Sequence, residues 1–104
     1  MGALLLFLLP SCTKDYPTDI PDWVEDRIRK CKQPFTDCRG LKVLEYSGLG
    51  QRWFYFREAS GNDELFTEGA SSVCSGNDLF VWEAQCTVVP LDSLHPVRTI
   101  WVED

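Results

Sequence analysis

Arg52-Trp53-Phe54-Tyr55-Phe56-Arg57 places an aromatic residue at four consecutive positions. Side chains alternate across a strand, so Trp53 and Tyr55 share one face of this run and Phe54 and Phe56 the other. Two arrangements accommodate that. Either the strand is central to a sheet covered on both faces, or one aromatic pair stays exposed as a recognition surface. The first takes all four rings into a core. The second leaves Trp53 and Tyr55, joined by Trp82 and Trp101, as a candidate binding patch for a protein or a glycan.

Working outward, Lys42–Tyr46 is a second short β-rich run, separated from the first by Ser47-Gly48-Leu49-Gly50-Gln51. The glycines allow positive φ, and the pair reads as a hairpin. A further β-rich run is expected at Leu79–Ala84, continuing toward Val88-Val89 until Pro90 interrupts it. A last strand is expected at Arg98–Glu103, after a loop through Ser93, His95 and Pro96. The stretch Glu58–Ser72 reads as loop-rich, with a short strand at Glu64–Thr67. Ser60-Gly61-Asn62-Asp63 is echoed by Ser75-Gly76-Asn77-Asp78. Neither copy has the oxygen-ligand spacing of a calcium loop, so both read as tight turns leading into apolar strands.

N-terminal to the hairpin, the periodicity changes to that of a helix. Val24, Ile28 and Cys31 fall on one face, Glu25–Arg29 and Asp26–Lys30 are acid-first i,i+4 pairs, and Pro34 stops the run. Asp22-x-x-Glu25 resembles a capping box with Asp22 as N-cap. The expected helix covers residues 22–32. The fold class that follows is α+β: one N-terminal helix packed on an antiparallel sheet of about four strands, with disulfides.

The chain has 104 residues, a formal charge of −6 and five cysteines. That length supports one modest core rather than a multidomain enzyme. The acidic balance argues against a nucleic-acid partner, which would require a basic footprint. Residues 3–9 form an apolar run too short to span a bilayer but of the length found in export signals. Leu9-Pro10-Ser11-Cys12 then has the order of a lipobox, with Cys12 as the lipid-attachment residue. The expected organisation is an export signal at 1–11, a lipid-anchored tether at 12–21 and one globular domain at 22–104. With Cys12 assigned to lipid, Cys31, Cys38, Cys74 and Cys86 remain as two disulfides of an exported domain. Three pairings are open, and the local pairs Cys31–Cys38 and Cys74–Cys86 are the favoured ones.

Catalytic and metal chemistry find little purchase. No C-x-x-C occurs and His95 is the single histidine, so no zinc site is expected. His95 lies in a loop-like setting with no nucleophile placed beside it, and neither a phosphate loop nor a dinucleotide fingerprint is present. No cofactor is expected. Carboxylate pairs such as Glu64/Glu68 are ordinary in so acidic a chain.

Taken together, the lipobox, the Lys14-Asp15 start, the helix at Asp22–Lys32, the aromatic hairpin (Val43–Tyr46 and Trp53–Phe56), Cys74 and Cys86, and the ending Ile100-Trp101-Val102-Glu103-Asp104 resemble a small uncharacterised family of bacterial lipoproteins. The resemblance covers the whole chain. It implies attachment to the cell envelope, at the outer membrane or cell surface, and implies no activity. Three functions are open to such a chain: a non-catalytic binding or structural module of the envelope, which the sequence favours; a secreted inhibitor-like protein docking on an enzyme through a rigid loop within Glu58–Ser72; and a hydrolase centred on His95.

Overall fold

A computed structural model describes residues 16–33, 38, 40–59, 61–80 and 86–103. Among these residues one helix, α1 (Asp22–Cys31), precedes five strands: β1 (Lys42–Gly48), β2 (Gln51–Arg57), β3 (Asn62–Thr67), β4 (Ser72–Asn77) and β5 (His95–Val102). All four strand pairings are antiparallel, and the sheet order is β4-β3-β2-β1-β5. The α+β class and the disulfides are as expected. The sheet has five strands rather than about four.

Helix α1 begins one residue earlier in its capping than the sequence suggests. Pro21 is the N-cap, its carbonyl accepting the N–H groups of Val24 (3.0 Å) and Glu25 (3.2 Å), and no side chain caps the helix. Asp22 lies inside the first turn, where with Glu25 it faces the positive end of the helix dipole, while Arg29 and Lys30 occupy the last turn. Val24 and Ile28 are fully buried against the sheet. Trp23 joins them from the flank, its ring 5.2 Å from Phe66 and 5.8 Å, edge-on, from Phe54.

The β1–β2 hairpin turns on Leu49 and Gly50, which both take positive φ (54° and 80°). That is the two-residue turn whose twist matches the flanking strands. Gly48, just before it, is required by close approach: a Cβ there would run into the Ser93 carbonyl oxygen and the Leu94 side chain.

Strand β2 is central, and both of its faces are covered. On one face Phe54 and Phe56 meet α1 together with Val43, Phe66, Ile100 and Trp101. On the other, Trp53 and Tyr55 meet Leu65, Cys74, Leu79, Cys86, Val89, Leu91 and Leu94. The second cover is the chain that follows β4: Leu79 and Phe80, then residues 86–94 with a single 3-10 turn at Leu91–Ser93.

Ser72–Asn77, of which Ser72 reads as loop and Ser75–Asn77 as a tight turn, is strand β4. Leu79 and Phe80, read as the start of a strand, lie in a turn, and Val88-Val89 form a bend; the rest of the expected Leu79–Ala84 strand lies outside the described residues. β5 starts at His95, so Pro96 is strand rather than loop. Residues 16–21, read as tether, are packed on the domain. Tyr16 and Ile20 are 8% and 7% exposed within the helix-side core.

Candidate functional site

The described residues of the candidate aromatic patch are buried. Trp53 is 4% exposed, Tyr55 3% and Trp101 6%. Trp53 and Tyr55 are shielded by the segment after β4, and Trp101 lies with the helix-side core. Trp82 lies outside the described residues. Burial also satisfies the polar tips: Trp53 Nε1 donates to the Gly48 carbonyl (2.9 Å), and Tyr55 donates its hydroxyl proton to Asp63 Oδ2. The described residues of Glu58–Ser72 form no long protruding loop. Glu58–Ser72 consists largely of β3 and two tight turns, closed by Gly61 N–H to the Glu58 carbonyl (2.9 Å) and Ala70 N–H to the Thr67 carbonyl (3.1 Å).

All four body cysteines are paired. Cys31 bonds Cys38 with Cα atoms 5.5 Å apart, and Cys74 bonds Cys86 with Cα atoms 5.4 Å apart. The first bond ties the end of α1 to the approach to β1. The second ties β4 to the cover over Trp53 and Tyr55. Cys12, the lipid-attachment candidate, lies outside the described residues.

Two charged networks, neither foreseen, sit on opposite faces of the sheet. On the helix side Glu45 is nearly buried and receives Arg98 Nε at 2.9 Å, with Arg52 Nη1 3.8 Å from its other oxygen. Arg98 also holds Asp19 (2.9 Å), and Arg52 holds Glu68 (3.2 Å) and donates to the Asp19 carbonyl (2.9 Å). The Arg98 hydrogen bond holds the Asp19 carboxyl below the usual carboxylate range. The network fastens Asp19 to β1, β2 and β5 through Glu45, Arg52 and Arg98. A buried carboxylate without such partners would be strongly unfavourable.

On the other side Asp63 is fully buried. It accepts from Tyr55, and Arg57 Nε stands 3.8 Å from the same oxygen while Arg57 Nη2 holds Asp78 at 3.0 Å. Burial, and then the hydrogen bond to Asp63, push the Tyr55 phenol well above its ordinary value. Tyr55 is therefore a fixed hydrogen-bond donor at neutral pH, unsuited to acting as a base. Tyr46 is pushed up by burial too, against the pull of Arg57, and stacks on Phe80 at 4.3 Å. The echoed Ser-Gly-Asn-Asp segments explain where this network comes from: they pair with each other, Asn62 opposite Asn77 and Asp63 opposite Gly76. The first copy turns into a strand as expected. The second instead ends β4, with Asp78 at positive φ just beyond it. The echo is the sequence signal that points to this network, as a pairing of the two segments and not as two separate turns.

Among the described residues no group of three His, Cys, Asp or Glu side chains is placed to hold a metal. His95 is exposed at the first position of β5. An open groove of about 360 Å³ runs along β4 between residues 72–75 and 86–88, reaching the Cys74–Cys86 bond. No helix among the described residues is long and apolar enough to cross a membrane. Compared with protein-family models, curated proteins and solved structures, the chain matches none.

Proposed function

We propose that the chain is a lipid-anchored protein of the bacterial cell envelope, attached through Cys12 at the outer membrane or cell surface, whose body is a non-catalytic binding or structural domain. The observation that carries this reading is the cysteine bookkeeping. Four of the five cysteines close two disulfides within the domain, and the one left over, Cys12, stands in Leu9-Pro10-Ser11-Cys12 behind an apolar run. Disulfides belong to oxidising compartments, which agrees with export. Two or more acyl chains on Cys12 would hold the protein stably, each buried CH₂ contributing about 0.8 kcal/mol.

Intact mass spectrometry of membrane-extracted protein, with and without reduction, tests it. The expected result is a chain starting at Cys12 with a diacyl or triacyl mass, gaining four hydrogens as its two disulfides are reduced. Replacing Cys12→Ser should move the protein into the soluble fraction. Five free thiols, or unchanged membrane partition of the Cys12→Ser protein, would overturn the reading.

A further inference from the structure

We infer that the free edge of β4 takes an extended, basic peptide segment of a partner protein as an added strand. This rests on the body being a binding domain, not on lipid attachment at Cys12. Among the described residues β4 is an outer strand, paired with β3 alone. The open groove of about 360 Å³ runs between residues 72–75 and 86–88. Four consecutive residues form its β4 wall. Side chains alternate across a strand, so a groove on one face would meet only every second residue, and this one follows the edge. β3 occupies the other edge, which leaves the groove along the free one. The ladder fixes which backbone groups point into it. The Asn62 carbonyl accepts the Glu58 N–H (3.2 Å), so Asn62 turns its backbone groups toward β2. By alternation Asp63 and Leu65 turn theirs toward β4, where Gly76 and Cys74 stand opposite them. Ser75, between those two, presents its N–H and C=O to the groove. Strand addition uses such a pair of groups.

Sheet edges are ordinarily blunted by proline, charge or irregular pairing. β5 has Pro96 and two register shifts. β4 has one shift, between Leu65 and Phe66 at its start, and Ser72–Asn77 contains neither proline nor a charged residue. Charge then selects the occupant. Residues 58–97 contain seven Asp or Glu and no Lys or Arg, whereas the rest of the chain has nine against ten. The net charge of −6 therefore belongs to the part of the chain that forms β3, β4 and the cover. Arg52 and Arg57 reach in from β2 to Glu68, Asp63 and Asp78, and Glu58 has a partner of its own. Counting a cation there too sets three against seven carboxylates, so the segment stays negative. Two carboxylates border β4 directly: Glu64 lies opposite Ser75 and accepts the Ser72 hydroxyl, and Asp78 follows the strand end. A Lys- or Arg-bearing strand is attracted to both. A second copy of β4 would bring the same carboxylates to the same edge and be repelled.

The test uses the full lipidated protein, isotope-labelled for NMR, in neutral detergent micelles. The probe is an end-blocked hexapeptide of alternating lysine and valine. It should shift the Ser75 amide resonance and slow its hydrogen exchange several-fold, with the β5 amides unchanged. Glutamate in place of lysine should abolish both effects, and added salt should weaken them. N-methylation of alternate peptide amides, made in both phases, should weaken binding by roughly fivefold or more in one phase only, because only every second N–H faces β4. Ser75→Pro removes the outward donor without touching the ladder to β3 and should weaken binding to the same degree. Equal binding of the glutamate peptide, or equal effects of the two methylation phases, would overturn the inference. So would a Ser75 amide that shifts with protein concentration alone, the occupant then being a second copy. Shifts confined to another surface would refute this site and leave a binding domain, whereas no shift at any residue would refute the site and count against a binding domain. The acyl mass on Cys12, read from the same samples, reports on the anchor separately from all of these.

Discussion

Single side chains in this domain carry strain and polarity that can be tested one at a time. Leu49 occupies the left-handed region at φ 54° with its side chain 56% exposed. For an L-residue that conformation costs about 1–2 kcal/mol, and asparagine tolerates it better. Leu49→Asn should therefore raise stability by about 0.5–1 kcal/mol, read as a higher urea midpoint at unchanged m-value. Tyr55 is the opposite case, a residue whose polar tip is needed. Its hydroxyl is a donor to buried Asp63. Tyr55→Phe should cost about 1–3 kcal/mol at neutral pH, the penalty of leaving a buried carboxylate oxygen short of a donor. The same substitution should flatten the alkaline limb. A phenol whose pKa is raised by folding keeps its proton where the unfolded chain, titrating near pH 10, releases it. Its stabilisation is thus complete below about pH 10 and declines as the pH rises further. Unfolding curves at pH 7 and above pH 10, for both proteins, check the magnitude and the sign.

At the scale of elements, the two disulfides do different things. Cys31–Cys38 closes a short loop at the helix end, and Cys74–Cys86 closes a longer one that pins the cover to β4. Chain-entropy arguments assign them about 2.4 and 2.8 kcal/mol, nearly equal contributions. Their structural consequences should differ. Cys74→Ser with Cys86→Ser releases the cover over Trp53, Tyr55 and Leu65, so it should increase binding of an apolar dye and red-shift tryptophan emission. Cys31→Ser with Cys38→Ser should lower the urea midpoint comparably while leaving both optical signals close to those of the parent. Strand edges show a related division of labour. β5 is an outer strand carrying Pro96 and two register irregularities against β1. Both features discourage the pairing of an edge with another chain.

For the molecule as a whole, what the sequence revealed followed from periodicity, and what it concealed came from segments without any. Val24 and Ile28 announce their face of α1, and the alternation in Arg52–Arg57 announces a strand with two apolar faces. The sequence could not say whether the second face was covered, because its cover has no repeating pattern: Leu79, Val89, Leu91 and Leu94 reach the sheet from turns and a 3-10 segment. β4 is hidden in the sequence for a similar reason. Ser72-Val73-Cys74-Ser75-Gly76-Asn77 has little β propensity, and its ladder to β3 and the bond at Cys74 hold it in place. The Glu45–Arg98 pair joins residues far apart in the chain, which no local pattern can reveal. The order of the strands has a kinetic consequence. β1 to β4 form a meander in which each strand pairs with the one just made, so three of the four pairings can assemble from neighbouring chain. The fourth cannot: β5 must return across β2, β3, β4 and the whole cover to reach β1. Closing that long excursion is the entropically costly step, so the rate at which the domain folds is set by the arrival of its last strand.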